Sequence, residues 1–110
     1  MTHQEYIAMQ RRRVADLARR ILAREIDVLD GSSQIAQLRY ELEIDGKDKD
    51  LMAFVLVESE TDALPVGAEA LNWSNEALIR KEPELRHARE WAFSTVRAEC
   101  ENLIARFSDA

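Results

Sequence analysis

The residues best suited to chemistry are three carboxylates at spacing two, Glu58, Glu60 and Asp62. They lie in the run Glu58-Ser-Glu-Thr-Asp-Ala-Leu-Pro-Val-Gly67, with Trp73 shortly after. On a helix, residues four apart share a face and residues two apart do not, so Glu58 and Asp62 are expected together and Glu60 apart. Paired carboxylates do acid–base work when one is desolvated, hold a divalent cation or steer a basic partner. The plainer role is local: Thr61 and Asp62 are turn formers ahead of Pro65 and Gly67, and Asp62 would hydrogen-bond the turn backbone. Trp73, in or beside the loop, is the tryptophan better placed for a partner contact, and Trp91 is expected to line the core edge.

Two further groups bear on catalysis or metal binding. Glu84-Leu-Arg-His87 matches Glu-x-x-His, which supplies two ligands from one helical face in di-iron bundles, but that chemistry needs a second copy. The only other histidine is His3. A mononuclear variant would draw on Glu84, His87 and the Glu58/Asp62 pair; the plainer role for His87 is a solvated or ion-paired side chain. Cys100 falls on an apolar stripe and reads as a small buried residue. His87 is thirteen residues upstream of it, about 19 Å along a continuous helix, too far for a dyad. No phosphate-cradling glycine loop, zinc-ligand spacing or serine-nucleophile motif is present. The sequence assigns no catalytic residue and no cofactor.

The charge is unevenly spread. The 110 residues carry a formal net charge of −6. Residues 1–24 hold six arginines against Glu5 and Asp16, a balance of +4, whereas residues 25–62 stand at −8 and residues 63–110 at −2. A net-acidic domain is repelled by nucleic acid, whose binding runs on Lys/Arg neutralisation of phosphates. The arginines are expected to cover a solvated face and pair with the acidic middle. That middle would steer a basic partner, or serve solubility. No apolar stretch approaches the ~18 residues of a membrane span. With one cysteine and no secretory pattern at the N-terminus, a cytoplasmic location is expected.

The elements that must position these groups read as helices. Val14, Leu17, Ala18, Ile21 and Leu22 follow helical spacing, predicting a first helix from about Thr2 to Arg24, running on toward Leu29 and stopped at Asp30-Gly31. Ser32 or Ser33 would cap a second helix over about Ser33–Glu43. Asp45-Gly46 marks a turn. Leu51–Val57 is seven apolar residues in a row, fitting a buried strand or a buried helix; with no strand partner elsewhere, a central buried helix over 49–61 is expected, capped by Asp48 or Asp50. Pro65 breaks the chain, Asn72 or Ser74 caps a short helix over about 75–81, and Pro83 opens a last helix to Phe107. That helix carries the stripe Leu85, Ala88, Ala92, Val96, Cys100, Leu103 and Phe107.

The expectation is one all-α domain over residues 1–110, a bundle of four to five helices. Its long terminal helices would pack together with the apolar third helix beneath both. The run SETDALPVG, Trp73, Glu76-Ala-Leu78 and Glu90-Trp91-Ala92 resemble a family of small bacterial all-helical proteins, over about residues 17–107. The resemblance implies a bacterial origin and one helical domain, and no activity. Two functions follow as expectations. One is a non-enzymatic interaction protein, immunity- or antidote-like or an adaptor, that binds a basic partner through Glu58, Glu60, Asp62 and Trp73. The other is a small-ligand or metal-binding domain with Glu58, Asp62, Glu84 and His87 in one cleft. A homodimer through the 51–57 run or the long helices is a third arrangement.

Overall fold

The computed structural model describes residues 1–110. It contains α1 (His3–Leu22), α2 (Val28–Leu38), α3 (Lys49–Thr61) and α4 (Asn75–Phe107), with 3-10 turns at Arg39–Glu41 and Gly67–Asn72 and no strand. The fold is the expected all-α bundle. The apolar run 51–57 is helical: Asp48 caps it by accepting from the Asp50 amide at 3.0 Å.

α4 organises the packing. Its 33 residues make a rod of about 50 Å, matching the 48 Å long dimension of the molecule. The stripe Leu85, Ala92, Val96, Cys100, Leu103 and Phe107 is buried. α1 lies against α4, as expected of the two terminal helices, and α3 lies against α2 and α4. The third helix is therefore not beneath both long helices. It buries Leu51, Phe54 and Val57 but leaves Met52 and Leu56 at the surface, 40% and 46% exposed.

The first connection differs from the sequence expectation. α1 stops at Leu22 because Arg24 turns into the left-handed region (φ 59°). The Glu25 amide then reaches back to the Arg20 carbonyl at 2.9 Å, the bonding pattern that closes a helix end. The Arg24 guanidinium stacks on Phe93, 3.9 Å from the ring centre, which offsets the left-handed conformation at a residue bearing a side chain. α2 then begins at Val28, capped by Asp27 and not by Ser32 or Ser33, and ends at Leu38 rather than Glu43. Asp30-Gly31 lies inside it. Gly31 is there for close approach: a Cβ would sit 2.8 Å from Ile21 Cγ1. The Ser32 hydroxyl is buried without a hydrogen-bond partner.

Two polar clamps hold α4 in place. Asp27 accepts from Leu29 N through Oδ1 and from Arg89 Nε and Nη2 through Oδ2, at 3.0 and 2.8 Å. At the other end, Arg106 donates to both Asp48 oxygens and to Asp50 Oδ2, and Asn102 donates to Asp50 Oδ1, all within 3.0 Å. The latter clamp runs α3 antiparallel to α4. The α1 arginines make few ion pairs with the acidic middle. Arg11 donates to the Leu42 carbonyl at 3.0 and 2.8 Å, Arg19 donates to Ser108, and Arg20 approaches Glu25 at 3.9 Å.

Pro83 does not open a new helix. α4 runs from Ser74, which caps Ala77 N at 3.1 Å, straight through it. Pro83 has no N–H for the Ile79 carbonyl, so α4 lacks one of its helical hydrogen bonds there. Pro83→Ala should therefore restore a helical hydrogen bond and raise unfolding stability by about 1–3 kcal/mol, read as a higher urea midpoint. An unchanged or lower midpoint contradicts this account. The Arg106 hydrogen bonds hold the Asp48 carboxyl below its ordinary 3.8. A lowered folded-state value gives stability that is complete above about pH 4 and lost as pH falls through the folded value. Asp48→Asn should flatten that acid limb when stability is followed from pH 5 downward.

Candidate carboxylate-lined clefts at the end of α3

The three acidic candidates divide as helical spacing requires. Glu58 and Asp62 line a cleft of about 550 Å³ with Asp30 and Glu69, floored by Leu29, Leu64 and Val66. Glu60 points the other way, into a cleft of about 410 Å³ that also holds Glu84, His87, Ala88 and Trp91. The clefts are neighbours, because Thr61 and Leu64 line both. Leu64 is buried and forms the ridge between them. Glu58, Asp62, Glu84 and His87 therefore do not share a cleft; Glu84 and His87 join Glu60 instead.

Local structure fixes each group. Glu58 is half-buried and accepts from Ser33 Oγ at 2.8 Å and from Gln37 Nε2 at 3.4 Å, which ties α3 to α2. Asp30 accepts from Gln34 Nε2 at 3.1 Å. Its Oδ1 lies 2.9 Å from where a Cβ on Gly67 would sit, and Gly67 has φ +59°, so only glycine fits that turn without strain. Glu84 pairs with Lys81 at 2.9 Å. Glu60, Asp62 and Glu69 are exposed and make no side-chain hydrogen bond or ion pair.

The two clefts concentrate like charge. Six carboxylates (Asp30, Glu58, Glu60, Asp62, Glu69 and Glu84) line them, and no Lys or Arg does. Glu58, Glu60 and Asp62 also sit at the C-terminal end of α3, whose last turn has no basic residue. That end carries partial negative charge, and each acid there is disfavoured by about 0.3–1 kcal/mol. A cation bound here relieves both repulsions.

The aromatic residue of the site is Trp91, not Trp73. Trp73 is half-buried ahead of α4 and lines neither cleft. Trp91, expected at the core edge, is 40% exposed and forms a wall of the smaller cleft. Its position in the sequence held the signal, since it precedes the buried Ala92 by one residue and so turns about 100° from the stripe.

The remaining features are of a different kind. The largest groove, about 780 Å³, runs between the α1–α2 connection and α4; its four arginines (24, 86, 89 and 97) are matched by Glu25, Asp27, Glu82 and Glu90. No three His, Cys, Asp or Glu side chains converge in an arrangement that could hold a metal. No helix is long and apolar enough to cross a membrane.

No family model, curated protein or solved structure matches this chain. The geometry of the chain alone therefore carries the functional reading.

Cys100 is fully buried, and burial together with Glu99 and Glu101 pushes its thiol from 9.0 up to about 12. It is neutral at pH 8 and not a nucleophile. The native protein should be silent to Ellman's reagent at pH 8 and react fully in denaturant. Rapid labelling of native protein would contradict the packing of α4.

Proposed function

We propose that this chain is a non-enzymatic interaction protein, immunity- or antidote-like, whose acidic face at the end of α3 binds and masks a basic surface on another bacterial protein. One observation carries the reading: two adjoining clefts lined by six carboxylates, with no cationic side chain in either and an apolar floor. The arginine-bearing groove on the other side of α4 is charge-balanced, whereas on the carboxylate face only Glu84 has a cationic partner, Lys81. The −8 balance of residues 25–62 adds a long-range field that accelerates encounter with a cationic partner. Glu60, Asp62 and Glu69 lack internal partners and are the groups available to pair across an interface.

A second reading is a small cationic ligand in one cleft. It is favoured by cleft volumes of about 550 and 410 Å³, within the usual range for small-molecule sites. A thermal-shift screen of polyamines and amino-acid amines separates it from the first, since a small ligand raises the melting temperature by mass action alone.

The test of the first reading is affinity capture from bacterial lysate at low and high salt, with Asp62→Asn/Glu69→Gln as control. The expected result is one basic protein, recovered stoichiometrically at low salt, released at high salt and lost with the double variant. With that protein purified, the double variant should slow association several-fold at low salt. Capture unaffected by either salt or the substitutions rejects the reading.

A further inference from the structure

We infer that the Glu60–Trp91 cleft accepts one arginine side chain of the basic partner, an assignment that rests on the function proposed above. The two clefts differ in a way that selects the guest. The larger cleft offers carboxylates over an aliphatic floor. The smaller one offers an indole, two aliphatic surfaces and two carboxylates together: Trp91, Leu64, Ala88, Glu60 and Glu84. That combination fits the parts of an arginine side chain. Its methylene stem covers Leu64 and Ala88, its flat guanidinium stacks on the indole, and its paired N–H groups meet a carboxylate side by side. A lysine ammonium is a compact, strongly hydrated point charge with no plane to stack, and uses the site less fully.

The free chain leaves both parts of this binding surface available. Trp91 is 40% exposed, turned away from the buried stripe of α4. Glu60 makes no ion pair, whereas Glu84 already holds Lys81 at 2.9 Å. Glu60 is therefore the carboxylate that receives the guanidinium. Lys81 is a built-in competitor, withdrawing Glu84 and adding a positive charge near the cleft. This gives a signature that a merely structural role would not produce: removing Lys81 should tighten binding.

The probe is a short acetylated glycine–arginine peptide, titrated into isotopically labelled wild-type protein and followed by NMR. Matched peptides carry lysine or citrulline in place of arginine. The expected result is a saturable shift of the Trp91 indole N–H and of His87, with the Trp73 indole unmoved. The lysine peptide should bind more weakly and the citrulline peptide not at all. Glu60→Gln should weaken arginine-peptide binding about tenfold, the usual scale for one charge-assisted hydrogen-bonded pair. Trp91→Leu should weaken it similarly while keeping the helix, and Lys81→Ala should strengthen it. If the arginine peptide instead moves residues around Asp62 and Glu69 and ignores Glu60→Gln, the arginine pocket is overturned while the basic-partner function stands. If no basic peptide binds anywhere on the face, both fall. If Trp91 shifts with protein concentration alone, the occupant is a second copy of the chain and the assignment is overturned.

Discussion

Everything in this molecule is arranged around one helix that has more length than its core can use. α4 carries a single buried stripe, Leu85 to Phe107, and the other helices must share it. They do so by taking opposite sides. Arg89 and Phe93 meet Asp27 and Arg24 at the α1–α2 connection, whereas Asn102 and Arg106 meet Asp48 and Asp50 at the start of α3. Both polar contacts use an aspartate that also caps a helix. One residue thus starts an element and docks it, so local order and tertiary placement arrive together.

The site follows from that arrangement. Once the start of α3 is clamped to the end of α4, an antiparallel run places the C-terminal end of α3 beside Glu84, His87 and Trp91. Leu64 and Pro65 are buried there and close the end of the bundle. The carboxylates that precede them have no place inside and are left around the rim. The acidic face is therefore a largely solvent-facing set of carboxylates around the apolar ridge of Leu64.

Much of the fold was legible in the sequence, and each departure has a physical reason. The run 51–57 has no strand partner elsewhere in the sequence, which favours helix, and the expected bounds 49–61 coincide with α3. The stripe of α4 was explicit in its spacing of three and four. Asp30-Gly31 misled, because a glycine that ends a helix and one that lets two helices touch look alike until Ile21 is seen against it. Ser32 and Ser33 misled for a related reason: small polar residues suit caps, but also suit a helix face pressed close to its neighbours. The true cap, Asp27, sits just before Val28, which continues the helical spacing of the first stripe. Pro83 suggested a boundary because sequence does not reveal that α4 runs on through the missing hydrogen bond. For the site, i, i+4 spacing correctly separated Glu60 from Glu58 and Asp62. The convergence of Glu60 with Glu84, His87 and Trp91 depends on the antiparallel pairing of α3 and α4, a long-range relation that no local pattern encodes.

The passage of α4 through Pro83 also sets how the molecule breathes. No residue of α4 before Leu85 is buried, so its first ten residues are held by little beyond their own helical bonds, one of which proline removes. Such a segment opens locally at far smaller free energy than the whole domain, and its amides exchange with solvent independently of the core. The boundary between that segment and the buried stripe falls at Leu85, between Glu84 and His87 on the wall of the smaller cleft. An occupant gripping Trp91 and Glu60 would therefore quiet the fluctuations of a helix end that it barely touches.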